Sequence, residues 1–343
     1  MKHHFHPHLG AHSRRQPDLA EAEALLSAHF GAHCVLTSSG RAAIHLALGG
    51  FGLSRYVHEI AAPRFISRCV MDVVVRHGFP SLAERPGPWQ AALRYHQYGI
   101  PQSERSRPSL ESVRVVDDLC HAFFWPDARG GVGWAGEAAV FSMPKFFPAS
   151  AMSGGVLVRD GDAADRLRAA RDATAPFDDS EQAAQSAAFL EGYDGDPQAA
   201  MQIERLYLER MIRCRPHRRD LIGFPCDLAE IAAISERRRQ IAQRLLAAAP
   251  VAACNAEWRD DIAGWRPFAL PVFVEDAQAR RSLVERARAL GFDAGVFSCD
   301  VARNQFAPDY RPVVFLPCHH LIADADVDAL ADLLREVRNA AEV

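Results

Sequence analysis

Short apolar runs that end in a small or polar residue and then give way to helix-like stretches constrain this chain more than any other feature. Residues 34–37 lead into Ser38-Ser39-Gly40-Arg41, and a helical stretch over 42–48 breaks at Gly49-Gly50. Residues 60–62 end at Pro63, 113–116 run into Asp117-Asp118, 138–141 end at Ser142, and 156–158 form a further run. A helix over 18–30 precedes them, with Glu21 three residues after Asp18 as in a capping box, and 67–77 reads as a helix closing at Gly78. This alternation predicts an α/β fold: a parallel or mixed sheet covered by helices on both faces. In such sheets ligands gather where strand C-termini meet helix N-termini, and Ser39, Asp118 and Ser142 all fall at such ends.

The chain has 343 residues, more than one hydrophobic core usually serves, so two units are expected. The stretch from Asp160 to Arg219 reads as helical and polar, and a second unit starts near Asp220. That unit holds a helix over 231–246, a strand over 268–274, a helix over 280–290 and a last helix capped by Asp324. The division is 1–219 and 220–343, with 1–16 as a flexible tail. The tail carries His3, His4, His6, His8 and His12, but no carboxylate or cysteine in ligand spacing, so no metal is expected. A net charge of −4 gives no reason to expect nucleic acid or an anionic membrane as partner, and no apolar run is long enough to span a bilayer. The start lacks the apolar core of a secretion signal, and the eight cysteines are scattered with no Cys-x-x-Cys pair, which suits reduced thiols in a cytoplasm.

Lysine usage points to chemistry. Lys and Arg together number 39, yet Lys2 and Lys145 are the only lysines. Arginine stays protonated and forms imines poorly, whereas a desolvated lysine loses its proton and attacks an aldehyde. Pyridoxal 5′-phosphate (PLP) needs such an amine, an acid under its ring nitrogen, an anion cradle and something flat against the ring. Lys145 supplies the amine as a Schiff base. Asp118 suits the acid, although a strand-end aspartate also caps turns. His121 is either a donor to the ring's phenolic oxygen or a structural histidine. Ser39-Gly40-Arg41 before a helix fits the cradle, with Ser142 adding a hydroxyl.

Further segments carry a family likeness. Ser38-Ser39-Gly40-Arg41-Ala42-Ala43-Ile44, the stretch 59–65, Tyr95-His96-Gln97-Tyr98-Gly99, Val116-Asp117-Asp118-Leu119-Cys120-His121-Ala122 and Leu316-Pro317-Cys318-His319 resemble the sugar-nucleotide aminotransferases of the DegT–DnrJ–EryC1–StrS group. The resemblance implies the aspartate-aminotransferase-like fold, a three-layer sandwich with a smaller C-terminal α+β domain, and PLP as cofactor. It implies a homodimer and transfer of an amino group from glutamate or glutamine to a keto-sugar nucleotide or related ketone. It places Asp118 under the ring and His121 beside its phenolic oxygen.

The chain also departs from the family pattern. Lys145 stands three residues after Ser142 rather than five. The position of the stacking aromatic falls on Ser67, leaving Phe65 as the nearest candidate. The segment that lends an Asn to the partner's active site has no counterpart around 213–219. Two rivals therefore stand beside transamination: a PLP enzyme of another reaction type, elimination or decarboxylation, and a cofactor-free binding or regulatory protein on the same fold. Trp125, Trp134 and Phe146 are candidate walls of the site or ordinary core aromatics, and Arg237-Arg238-Arg239 reads as a solvated helix face.

Overall fold

In the computed structural model, which describes residues 3–5, 7, 17–103, 112–123, 134–147, 153–174, 213–221, 223–249 and 267–341, the first helix begins at its sequence-encoded cap. Asp18 accepts the Glu21 N–H at 2.8 Å, and the Glu21 carboxylate takes the Asp18 N–H at 3.2 Å. This helix, α1 (Leu19–Phe30), buries Ala22, Leu26 and Phe30. Its Glu23 accepts the Leu36 N–H at 2.9 Å and pairs with Arg168 and Arg171, tying the helix to the sheet beneath it.

The elements that follow are β1 (His33–Thr37), α2 (Gly40–Gly50), β2 (Glu59–Ala62), α3 (Arg68–His77), β3 (Phe79–Leu82), β4 (Trp89–Tyr95), β5 (Arg114–Asp118), β6 (Ala138–Ser142), β7 (Gly154–Val158) and α4 (Gly161–Asp172). They form a seven-stranded sheet in the order β1-β7-β6-β5-β4-β2-β3. Only β7 runs against its neighbours, so the other strands share one direction. On one face Val35, Ile60, Leu93, Val116, Val140 and Val156 pack against α2, α3 and α4. On the other, Leu36, Phe141 and Leu157 pack against α1. Helices on both faces of a mostly parallel sheet are the expected three-layer architecture.

The chain then gives α5 (Leu228–Ala248), β8 (Ala269–Val272), α6 (Ala277–Ala289), β9 (Gly295–Asp300), β10 (Tyr310–Pro317) and α7 (Asp324–Ala341). Their three strands make an antiparallel sheet in the order β8-β10-β9. Leu270, Val272, Val314 and Leu316 on its inner face pack against Leu283, Leu330, Leu334 and Ile241 of the helices. Glutamine side chains join the two sheets at the end of β4. Gln305 accepts the Tyr95 N–H at 3.1 Å and donates to the Leu93 carbonyl at 3.1 Å, while Gln97 donates to the Ser298 carbonyl at 2.7 Å and accepts the Asp300 N–H at 3.0 Å.

Four strands were not read from the sequence: β3, β4, β9 and β10. β4, Trp-Gln-Ala-Ala-Leu-Arg-Tyr, contains no β-branched residue. It is a strand because β2 and β5 flank it and bury Ala91, Ala92 and Leu93. The start of the histidine-rich segment is docked: His3 is buried, and its main chain bonds to Gly291 and Asp293. His6, His8 and His12, like the helical expectation over 175–212, lie outside the described residues.

Candidate active site

Strand direction brings the ends of β1, β4, β5 and β6 to one edge of the sheet, where a cavity of about 450 Å³ opens. Ser39, Gly40, Arg41, Asp118, His121, Ser142 and Lys145 all line it. These are seven of the eight residues expected from the sequence, gathered from segments more than a hundred residues apart.

The cavity floor is the start of α2. Ser39 is its N-cap: the hydroxyl accepts the Ala42 N–H at 3.1 Å, and the carbonyl accepts Ala43 N–H. Ser39 is thus spent on the helix, and the anion-attracting groups are the N–H vectors of the first turn. A methyl group on Gly40 would lie 3.0 Å from Cys120 Sγ and 3.1 Å from Ser142 Cβ, so only glycine leaves that approach open. The chain at 213–214 runs beside this turn, where the Arg213 and Cys214 carbonyls accept from Ser38 Oγ and N–H at 2.9 Å each.

Asp118, buried at the tip of β5, pairs in register with Tyr95 and Val140. It accepts the Cys120 N–H at 2.9 Å, and burial lifts its carboxyl above the usual range against the pull of that bond. A desolvated carboxylate of this kind gains most from a cationic partner. His121 lies nearly parallel to two rings, Phe268 at 4.6 Å and 5° and Tyr98 at 5.6 Å and 16°. Its Nδ1 accepts the Tyr98 N–H at 3.2 Å and lies 2.9 Å from the Tyr95 hydroxyl, which puts the ring proton on Nε2. The turn that presents Tyr98 needs Gly99: its φ is +83°, and any side chain there would collide with the His121 carbonyl.

Lys145 ends a single 3₁₀ turn, Met143–Lys145, that follows β6 directly. The turn is pinned by the Met143 N–H donating to the Ser153 carbonyl at 2.9 Å and by Phe146 and Phe147, which are fully buried behind it. The Lys145 amine faces the cavity with no hydrogen-bond acceptor among the described residues, 5.0 Å over the Phe268 ring. Burial lowers its pKa, while Cys120, Asp118 and Cys69 pull the other way. The shortened loop therefore still delivers its amine to the same end of the sheet as Asp118.

Phe65 is the exception. It is 45% exposed, meets Tyr310 edge-on at 4.7 Å and does not line the cavity. Ile66, Ser67, Cys69 and Val70 form that wall instead. Tyr95 and Cys120 also line the cavity and were not singled out by sequence reasoning. The signal for both was present, since each stands inside a quoted motif where the resembled pattern has Val or Ala. Trp134 is buried away from the site under Arg159, at 3.7 Å, and Trp125 lies outside the described residues. Phe146 backs the lysine loop without reaching the cavity. A larger cavity of about 1080 Å³ opens at the opposite end of the sheet. Two of its four arginines donate to carbonyls, Arg114 to Phe51 and Arg159 to Gly136, Arg94 is paired with Asp117 and Arg166 lies 3.9 Å from Asp160; none of the eight residues expected from the sequence lines it.

The residues fit PLP. An amine without an acceptor, a buried carboxylate, an imidazole N–H and a helix start kept open by Gly40 converge on one cavity. No group of His, Cys, Asp and Glu among the described residues could hold a metal ion, and no described helix is long and apolar enough to cross a membrane.

No protein-family model matches the chain, and no curated protein matches it. Solved structures do. A DegT DnrJ EryC1 StrS aminotransferase from Brucella abortus superposes with a TM-score of 0.67 at 16% identity, over 94% of this chain and 90% of that one. DesV from S. venezuelae, solved in complex with a ketimine intermediate, gives 0.65 at 19% identity, over 94% and 90%. The sugar aminotransferase CalS13 from Micromonospora echinospora gives 0.60 at 16% identity, over 94% and 92%. At these identities the likeness establishes the fold, and it spans nearly the whole chain.

Proposed function

We propose that the protein is a PLP-dependent aminotransferase, a divergent member of the DegT–DnrJ–EryC1–StrS group. The observation that carries this reading is Lys145. The one lysine beyond the N-terminal segment stands, without an acceptor among the described residues, in the cavity that also holds Asp118 and the start of α2. The solved structures of the same fold, which include sugar aminotransferases, support it.

Lys145 Nζ holds the cofactor covalently and, when displaced by substrate, moves a proton to and from the substrate carbon. Burial lowers the pKa of that amine, which favours its basic form. Asp118 holds the proton of the ring nitrogen, and the ionic contact offsets the cost of its own burial. His121 Nε2–H donates to the ring's phenolic oxygen. The first turn of α2, with Arg41 and the Ser142 hydroxyl, binds the phosphate. Bound there, PLP supplies an electron-accepting ring that stabilises negative charge on the substrate carbon. Glutamate or glutamine gives the amino group, and a keto-sugar nucleotide or related ketone receives it. The unit 1–219 carries the cofactor, 220–343 packs Phe268 against His121 and Lys145, and the protein works as a cytoplasmic homodimer.

Borohydride reduction of the loaded protein followed by peptide mass spectrometry tests the assignment. A pyridoxyl group on Lys145, absent from Lys145→Ala, is expected. An adduct that persists in Lys145→Ala refutes it. Conversion to the pyridoxamine form by L-glutamate separates transamination from elimination or decarboxylation.

A further inference from the structure

Three consecutive arginines on α5 take different directions. Arg237 reaches the Ile322 carbonyl and Asp324, both at its outer edge, and Arg239 pairs with Glu236 and Gln243. Arg238 is fully buried, which corrects the expectation of a solvated face for this residue. Its guanidinium lies 4.9 Å over the Phe146 ring, and its Nη2 donates to the carbonyl oxygen of Lys145 at 3.4 Å. Nε and Nη1 have no hydrogen-bond partner, and no carboxylate pairs with the group among the described residues. The titratable group beside it is the Cys318 thiol, itself bonded to the Pro267 carbonyl at 3.3 Å. Desolvation pushes the guanidinium pKa down to about 10, so it stays charged at neutral pH. A buried charge with no countercharge among the described residues is costly to a fold, and this one sits behind the main chain of the lysine.

We propose that Arg238 is a positioning residue for Lys145: it holds the main chain of the shortened lysine loop from α5, and its charge, without a carboxylate partner among the described residues, opposes protonation of the Lys145 nitrogen. This deepens the reading of Lys145 as the cofactor amine and rests on it. The loop has only one 3₁₀ turn to aim the side chain, and Arg238 holds that turn through both the Lys145 carbonyl and the Phe146 ring. The groups facing the amine are Asp118 at the end of β5, Cys120 and His121 just after it, Tyr95 on β4, Arg41 on α2 and Cys69 on α3. Asp118 and any ionised thiol favour the ammonium form, and Arg41 opposes it. Arg238 adds a second opposing charge from behind. A unit charge within roughly 10 Å at an effective dielectric of about 20 shifts a lysine midpoint by roughly one pH unit.

Because Lys2 and Lys145 are the only lysines, ¹³Cε-lysine-labelled protein without cofactor gives two titrating signals, with Lys2 as internal reference. Lys145 is expected to titrate below Lys2. Arg238→Met is expected to raise its midpoint by about one unit, roughly tenfold less neutral amine at a given pH, while Arg238→Lys, which adds a third lysine signal, keeps most of the depression at Lys145. Arg238→Gln serves as a second neutral variant if the methionine variant does not fold. Lys145 titrating together with Lys2 in the unaltered protein overturns the proposal, as does a midpoint that moves by less than about 0.3 unit in a folded neutral variant. The titration needs no cofactor, so the two readings fail separately. A chain that behaves as described yet leaves no reduced adduct on Lys145 refutes the cofactor assignment alone.

Discussion

Asp117 and Asp118 are neighbours on β5 and therefore face opposite sides of the sheet. Asp118 faces the cavity, while Asp117 is fully buried behind it and serves as an anchor. It accepts from Arg94 Nε at 2.5 Å and Nη2 at 2.8 Å, from His96 Nε2 at 3.0 Å, and from the Ala135 and Gly136 N–H groups at 3.1 and 2.8 Å. His96 Nδ1 accepts the Gln102 N–H, which fixes the proton on Nε2. Burial alone would lift the Asp117 carboxyl, but the hydrogen bonds from His96 and Arg94 outweigh it and hold the group far below the usual carboxylate range. Asp117→Asn keeps one acceptor oxygen. It sets an NH₂ where Oδ2 now receives three N–H groups, and it leaves Arg94 buried without a countercharge. Breaking a buried pair in this way costs roughly 3–5 kcal/mol. Denaturant unfolding of the cofactor-free protein measures it. A carboxyl with a depressed folded pKa contributes stability above its unfolded value of about 4, and that stability is lost as pH falls through the folded value. The gap between the two proteins should therefore hold constant from about pH 8 to 5 and narrow only below about pH 4. A loss under about 1 kcal/mol at neutral pH, or a gap that already shrinks between pH 7 and 5, refutes the reasoning.

Asp118→Asn should retain part of the cofactor while lowering steady-state turnover by roughly two orders of magnitude or more, and unchanged turnover would show that the acid lies elsewhere. Phe65→Ala should leave PLP affinity, read by absorbance titration, within about twofold, since the side chain does not border the cavity; a tenfold loss, about 1.4 kcal/mol, would put the ring back at the site. Gly155→Ala places a methyl group inside the Phe141 ring across the β6–β7 pairing, so the melting temperature should fall by an amount corresponding to about 1–3 kcal/mol; an unaltered melting curve would contradict the packing.

Local sequence was enough wherever a signal acts within a few residues. The Asp18–Glu21 box lies where backbone donors need an acceptor and can be read from four residues. The apolar strands β1, β5, β6 and β7 were legible for the same reason. Lys145 was legible from composition, because the chain has so few lysines. β3 and β4 were not, because their pairing partners, rather than their own residues, make them strands, whereas β9 and β10 carry Val296-Phe297 and Val313-Val314-Phe315 and went unread although the signal was local.

By itself the sequence determined the alternation of elements, and with it the edge at which Ser39, Asp118, Ser142 and Lys145 had to meet, since strand direction is a property of connectivity. Tertiary structure alone decided which neighbours close the cavity. Phe65 turns outward while Ile66 and Val70 face in, Tyr95 comes beside His121, and Arg238 turns inward from a run of three identical residues. Side-chain burial on an irregular loop, or on one step of a helix, depends on what packs opposite, and that partner lies far away in the chain.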